Sequence, residues 1–424
     1  MTEAARRLLL DLWTAGIAAV DGRPAVRRYL ERARLQGRWR IIAIGKAAAA
    51  MTLGAHDALG EQILDALVVT KTGHVPEQLA ASLERLDLHI ASHPMPDQRS
   101  LAAGAALLER VVATSAGDGL LFLISGGASS LAEVPAAGVT LAELVACNEW
   151  LLASGLPIGE VNAVRGRLSQ IKGGRLAAHL VGRKAVALLI SDVPDDDPAV
   201  IGSGMLVAAR PAALPESLPA AWRERLEALP DSRATAGGQV EIAIVARPED
   251  LLAALRDAAR ARAQSIEVWP ERFAGDAHDI ALRAARDLHG SSADLIAAAG
   301  ESTVHLPAAP GRGGRNQHLA LVAAQALAGG PEVTLLAAGT DGTDGPTDDA
   351  GAIVDAETLE RGALAGLDAR AALARAAAGE FLEASGDLLC TGPTGTNVGD
   401  VLIGLTAAGQ HRLMRGSAMG CLRP

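Results

Sequence analysis

The residues able to do chemistry lie in a handful of short polar loops. Ser125-Gly126-Gly127-Ala128-Ser129-Ser130 follows the apolar run Leu121-Phe122-Leu123-Ile124. Its glycines permit close backbone approach to a ligand, its hydroxyls add donors, and successive N–H groups at a helix start favour an anion. The same string also describes a tight turn with an N-cap. Between Asn162 and Arg175 stand Arg165, Arg167, Lys172 and Arg175 beside Gly173-Gly174, four cations within eleven residues. They read either as a solvated face or as an anion site using Arg165 and Lys172. Ser191-Asp192-Val193-Pro194 follows Ala187-Leu188-Leu189-Ile190. A carboxylate directly after a buried strand can hold Mg2+ or orient a hydroxyl nucleophile, and Asp192 is the one nearest the strand end. Asp195, Asp196 and Asp197 read as a solvated turn.

The C-terminal half shows the same kind of loop. Gly311-Arg312-Gly313-Gly314-Arg315-Asn316-Gln317 opens a predicted helix from His318 to Leu327. A guanidinium beside glycines suits bidentate binding of phosphate or carboxylate. Glu301, in Gly300-Glu301-Ser302-Thr303, can contact a metal or a hydroxyl or serve the structure. The segment from Gly339 to Asp349 carries Asp341, Asp344, Asp348 and Asp349 without the spacing of an EF-hand. A further dense polar loop runs from Gly392 through Thr394 and Asn397 to Asp400. Loops of this kind recurring at strand ends are expected to converge on a polar site of mixed charge. Cations for anionic groups, with carboxylates for a divalent metal, are the layout of phosphoryl transfer.

Other chemistries lack support. No G-x-x-x-x-G-K-[ST], G-x-G-x-x-G, G-x-S-x-G or H-E-x-x-H occurs, and the 10 histidines form no metal pair. A net charge of −10 and 2% aromatic residues argue against a nucleic-acid partner, which needs basic and stacking side chains. The 3 cysteines, Cys147, Cys390 and Cys421, are odd in number and widely spaced. They make no disulfide framework or zinc ribbon, and a reducing, cytoplasmic compartment is expected. No uncharged run reaches the roughly 18–20 residues of a membrane span, so no membrane partner is expected. The first twenty residues, interrupted by Asp11, read as an amphipathic helix rather than a signal peptide. Nothing separates a monomer from a homodimer.

The loops need a scaffold, and the apolar runs supply it. Strands are predicted around 41–44, 67–70, 88–90, 120–124 and 185–190, separated by Ala- and Leu-rich helical stretches. This rhythm is that of α/β layers with a largely parallel sheet. A Pro- and Gly-punctuated connector, with Pro211, Pro215, Pro219, Pro230 and Gly237-Gly238, then precedes a second α/β series at 240–245, 295–299, 333–338 and 401–405. The expected domains are 1–235 and 236–424. In open α/β sheets ligands bind beyond the carboxyl ends of the strands, where the polar loops fall.

These loops, with Gly45-Lys46, His93-Pro94-Met95-Pro96-Asp97 and Thr391 to Asp400, resemble in content and order the glycerate 2-kinases, the two-domain family whose C-terminal part is the MOFRL domain. The resemblance implies two α/β/α layered domains, a Rossmann-like parallel sheet first and a smaller α/β domain second, with a cleft between them. It implies phosphorylation of D-glycerate at the 2-hydroxyl with ATP and Mg2+. By motif, Lys46 resembles the catalytic lysine, Arg315 the essential arginine and Asp192 the acidic residue of the S-D-V-P loop. Asp341 or Asp344 is then expected to complete the metal contacts, with Asp192. Ser125, Gly126, Gly127, Ser129, Ser130, Arg165, Lys172, Glu301, Asn316, Thr394 and Asn397 are expected to bind substrate or nucleotide. His318, Ala246-Arg247 and Ala377-Ala378-Gly379 depart from the family pattern. Some relatives carry the name hydroxypyruvate reductase, and an NAD(P)H-dependent reductase is the alternative expectation. The nine aromatic residues, from Trp13 to Phe381, lie outside the candidate loops. No ring is therefore expected to stack on the adenine.

Overall fold

The computed structural model describes residues 2–207, 213–229 and 238–420, the last six as backbone alone. The boundary expected at 235/236 falls outside the described residues, as do Pro211, Pro230, Gly237 and Cys421. The chain forms two compact units. One comprises Asp21–Arg247 and Gly395–Asn397; the other comprises the residues up to Val20, Pro248–Thr394 and the residues from Val398 onward.

In the unit of Asp21–Arg247, six strands form one parallel sheet. They are β1 (Trp39–Ile44), β2 (Ile63–Lys71), β3 (Leu86–Ala91), β4 (Gly119–Ile124), β5 (Lys184–Ile190) and β6 (Val240–Ala246), in the order β3-β2-β1-β4-β5-β6. This is the doubly wound order, which reverses between β1 and β4. Gly119 to Ile124 is buried throughout, because parallel strands covered on both faces read as unbroken apolar runs. Ile42, Ile44, Leu120, Phe122 and Ile124 share a core with Ala103, Leu107 and Val111 of the helix Gln98–Ala113. That helix starts where the sequence dictates: Asp97 accepts from the N–H groups of Arg99 and Ser100 at 2.9 and 3.1 Å, and Ser100 Oγ accepts from the Asp97 N–H. The helices Gly22–Ala33 and Ala48–Leu59 pack on each other and on strands of the same sheet.

One strand was expected elsewhere. Residues 240–245 were read as opening the second series, yet β6 pairs in parallel with β5, from Ala185 opposite Val240 to Ile190 opposite Ala246. A strand's own residues do not name its neighbour; pairing across the long connector decides it.

In the other unit a seven-stranded sheet runs β12 (Leu388–Leu389), β11 (Gly351–Asp355), β10 (Thr334–Gly339), β13 (Asp400–Leu405), β9 (Leu295–Thr303) and β7 (Ile266–Val268), with β8 (Phe273–Asp276) also on β9. The pairs β10–β11, β10–β13 and β13–β9 are antiparallel, while β7 and β8 run parallel to β9. The apolar rhythm of the second series carries no strand direction; β11 returns antiparallel to β10 through the polar loop 340–350, with no crossover helix between them. The helices Ala277–Gly290, Arg315–Leu327 and Ala378–Ser385 bury Ile280, Leu288, Leu321 and Phe381 in one core with Ile296, Leu335 and Leu402 of the sheet. The N-terminal helix Glu3–Val20 also belongs here and lies against the helix Pro248–Ala261. Gly16 makes that approach: a Cβ there would stand 3.2 Å from Leu251 Cγ and Leu255 Cδ2. Among the described residues, no helix is long and apolar enough to cross a membrane.

Candidate functional site

The order reversal between β1 and β4 marks the place where an open α/β sheet leaves a crevice outside its carboxyl ends. Gly45-Lys46 leaves β1 and Ser125-Gly126-Gly127 leaves β4. The two loops are stitched together. Lys46 N donates to Gly126 O at 3.0 Å, Ala47 N to Ser125 Oγ at 3.0 Å, and Ser125 N to Ile44 O at 3.0 Å. Gly45 has φ +128°, and a Cβ on it would lie 2.2 Å from Ser125 Oγ, so only glycine permits the contact. This holds the lysine at the crevice with its side chain half-buried.

Three further groups adjoin it. A Cβ built on Gly127 would lie 3.4 Å from Lys46 Cγ and 3.1 Å from His93 Cδ2, so both side chains border this glycine. Asn397 Nδ2 donates to Asp192 Oδ2 at 2.8 Å. A Cβ on Gly126 would lie 1.8 Å from that Nδ2 and 1.9 Å from that Oδ2. Lys46, Gly126, Gly127, Asp192 and Asn397 are thus brought together in one unit, with Asn397 supplied by the three-residue segment Gly395–Asn397. His93 was singled out in the sequence only as part of a turn-rich motif. Its signal was position, directly after β3 of the same sheet.

The serines of the loop have other work. Ser125 is fully buried and its hydroxyl accepts from the Ala47 N–H. Ser129 Oγ meets Ser203 Oγ at 2.8 Å, Ser203 Oγ donates to Asn162 Oδ1 at 2.9 Å, and Ser130 Oγ donates to Gly127 O at 3.2 Å. The helix that the loop opens is only Ala128–Leu131, too short to present a substantial dipole. These bonds hold the loop to itself and to Ser203.

Arg165 and Lys172, expected to bind an anion, are committed to a buried network. Lys172 pairs with Glu133, their side chains only 3% and 1% exposed. Ser169 Oγ donates to Glu133 Oε1 at 2.5 Å. Arg165 Nε donates to Asn148 Oδ1 at 3.0 Å. Burial lowers the Lys172 and Arg165 pKa values, opposed by the Glu133 charge. In the sequence, four cations close together look alike whether solvated or buried.

In the second unit Gly314 lets the backbone approach Asp344: a Cβ on it would stand 2.2 Å from Asp344 Cγ. Asp344 Oδ1 accepts from Asn316 N at 3.1 Å and Oδ2 from Gln317 N at 2.8 Å, so its carboxylate caps the helix Arg315–Leu327. Arg315 donates from Nε to Asp400 Oδ2 at 2.7 Å and from Nη2 to Asp400 Oδ1 at 3.0 Å, and its Nη1 pairs with Glu301. Burial opposes the Arg315 charge, but Asp400, Glu301 and Asp344 outweigh it and hold the pKa well above the usual value. Asp341 accepts from the Thr343 N–H and hydroxyl at 2.9 and 3.0 Å. Thr394 Oγ1 donates to Thr340 O at 2.5 Å. Asp400 was not selected from the sequence, although it stands at a strand start in the right loop.

Asp192 lies in one unit while Asp341 and Asp344 lie in the other. Among the described residues no group of three or more His, Cys, Asp or Glu side chains is arranged to hold a metal ion. Asp344 is a poor ligand as placed. Both its oxygens accept backbone N–H groups, and burial, aided by Asp400, pushes its carboxyl up to about 7 against the N–H donors and Arg315.

That shift has a measurable consequence. Between the ordinary carboxyl value and about 7, the folded state keeps a proton that the unfolded chain has lost. The stability from this group is therefore full below about pH 4 and is lost as pH rises to about 7. Asp344→Asn does not titrate. Its melting temperature relative to wild type is expected to rise between about pH 5 and about pH 8, on top of a constant loss from the weakened cap. A difference that stays constant across thermal melts at the two pH values would show that the carboxyl is ionised throughout.

Residues 8–232 match a domain of unknown function, DUF4147, and residues 294–400 match the MOFRL family. The chain is 36% identical to a D-glycerate 2-kinase from Thermotoga maritima over 95% of this chain and 99% of that one. It is 38% identical to an Agrobacterium vitis protein that carries a hydroxypyruvate reductase name, over 94% of each. The crystal structure of a glycerate kinase from Thermotoga maritima superposes with a TM-score of 0.79 at 34% identity, covering 96% of this chain and 100% of that one. With the doubly wound sheet, the lysine at its switch point and a MOFRL match over the Arg315 region, the chain belongs to the glycerate 2-kinase family.

Proposed function

We propose that this protein phosphorylates D-glycerate at the 2-hydroxyl with ATP as donor, releasing 2-phosphoglycerate and ADP. The observation that carries the reading is the placement of Lys46 at the β1–β4 switch point beside the Asp192–Asn397 pair. A cation there neutralises charge on a transferring phosphoryl group, the main task in this chemistry. Asp192 accepts the proton of the 2-hydroxyl or holds Mg2+; Asn397 fixes which way its carboxylate faces. Mg2+ usually takes one or two carboxylates plus substrate phosphates, so Asp192 fits that role, and Asp344, with both oxygens given to a helix start, does not. When bound, Mg2+ supplies charge neutralisation between the phosphates. Arg315 has five N–H donors and uses three on Asp400 and Glu301. The other two receive an anionic group, the glycerate carboxylate or a phosphate.

The reductase reading lacks a dinucleotide cradle. The first βα turn is Ile44-Gly45-Lys46-Ala47, with one glycine where close pyrophosphate approach needs more. A coupled assay separates the two: ADP release with D-glycerate and ATP, against NADH oxidation with hydroxypyruvate. NMR of the product fixes the phosphorylated position. NADH oxidation without ADP release would replace the kinase assignment.

Gly126 offers a graded test of the same site. Gly126→Ala is expected to keep the fold, since the two atoms it displaces are ends of side chains. Moving the Asp192 carboxylate by about an ångström is expected to lower turnover at least about tenfold. Normal turnover in the folded variant would place Asp192 away from the reaction.

A further inference from the structure

Arg315 is not held by its helix alone. Asp400, the first residue of β13, is 1% exposed, and both of its oxygens face the guanidinium at 2.7 and 3.0 Å. This is a fork-to-fork pair, the geometry that fixes a guanidinium in plane as well as in position. The pair uses Nε and one side of Nη2. Glu301, by contrast, is half-exposed, sits on a strand end, and meets only Nη1. A buried, two-point contact from a central strand and a single contact from an exposed side chain are mechanically unequal. The first resists displacement, because separating it leaves two charges stranded in the interior. The second exchanges with solvent.

We infer that Asp400 is the positioning residue of Arg315: it holds the guanidinium in one plane so that its remaining Nη1 and Nη2 N–H groups face an incoming anion. Glu301 is the exchangeable partner on Nη1. The inference deepens the kinase reading and rests on it for the role of Arg315. Its geometric half stands independently.

The test uses the full-length protein and Asp400→Asn, which keeps the shape and removes the charge. Turnover with D-glycerate and ATP is expected to fall about ten- to a hundredfold, the effect of losing an orienting partner, with the melting transition retained. In a double-mutant cycle, Asp400→Asn adds nothing once Arg315→Lys is in place. A residue that merely supports the fold would multiply its effect instead. Independently of catalysis, the Arg315 Nε–H resonance, assigned by its disappearance in Arg315→Lys, is expected to be protected from exchange in wild type and to lose protection in Asp400→Asn. Wild-type protein that releases no ADP would overturn the kinase reading while the exchange measurement still decides the positioning. Unchanged Nε–H protection, or independent effects in the cycle, would overturn the positioning. Should Asp400→Asn fail to fold, Asp400→Glu, which retains the charge and shifts the fork by one methylene, carries the same two measurements.

Discussion

Lys46→Ala is expected to lower turnover with D-glycerate and ATP by about 10²–10³-fold, the usual effect of removing one positioned charge from a developing anion. The fold is expected to survive. Lys46 is half-buried, and the loop around it is fixed by backbone and serine contacts: Lys46 N to Gly126 O, Ala47 N to Ser125 Oγ and Ser125 N to Ile44 O. None of these uses the ammonium. The measurement is steady-state kinetics on protein whose melting transition matches wild type. A folded Lys46→Ala variant with near-normal turnover would remove Lys46 from the reaction.

Lys172→Met is expected to act in the opposite way, on stability and not on the chemistry. Removing the ammonium leaves the Glu133 carboxylate almost fully buried. Breaking one side of a buried pair typically costs about 3–5 kcal/mol. Ser169 Oγ, the Val134 N–H and the nearby Arg165 still favour the carboxylate, which places the expected loss near the low end, about 3 kcal/mol. For a unit of this size that lowers the melting temperature by roughly 6–12 °C. Pairing it with Glu133→Gln is expected to recover part of the loss, since the stranded charge is then gone. Activity per folded molecule is expected to stay near wild type. A Lys172→Met protein that melts normally but binds substrate poorly would restore Lys172 to the binding residues.

Much of the fold was legible because its signals are local. The strands at 39–44, 119–124 and 184–190 are short apolar runs ending in glycine or polar turns, and their periodicity needs no partner to be read. The strands at 351–355, 388–389, 266–268 and 273–276 were missed because each is two to five residues long and borrows its stability from a neighbour. Lys46, Asp192 and Arg315 stand out in the sequence by their positions at strand and helix ends. His93 and Asp400 escaped selection, since nothing in a lone histidine or aspartate tells which glycine or arginine it will face. The burial of Lys172 against Glu133 is hidden from the sequence for the same reason.

By itself, the sequence determined the element types, the parallel α/β character of the first sheet, and which loops carry charge at strand ends. These follow from residue-by-residue propensities and from periods of two and 3.6, which act over a few residues. Tertiary structure alone decided that β6 joins the first sheet, that residues up to Val20 belong with the second unit, and that Asn397 meets Asp192 across 205 positions of chain. It also decided which charges are buried in pairs and which remain at a crevice. Burial and pairing are properties of the surroundings, and residues distant in sequence supply those surroundings.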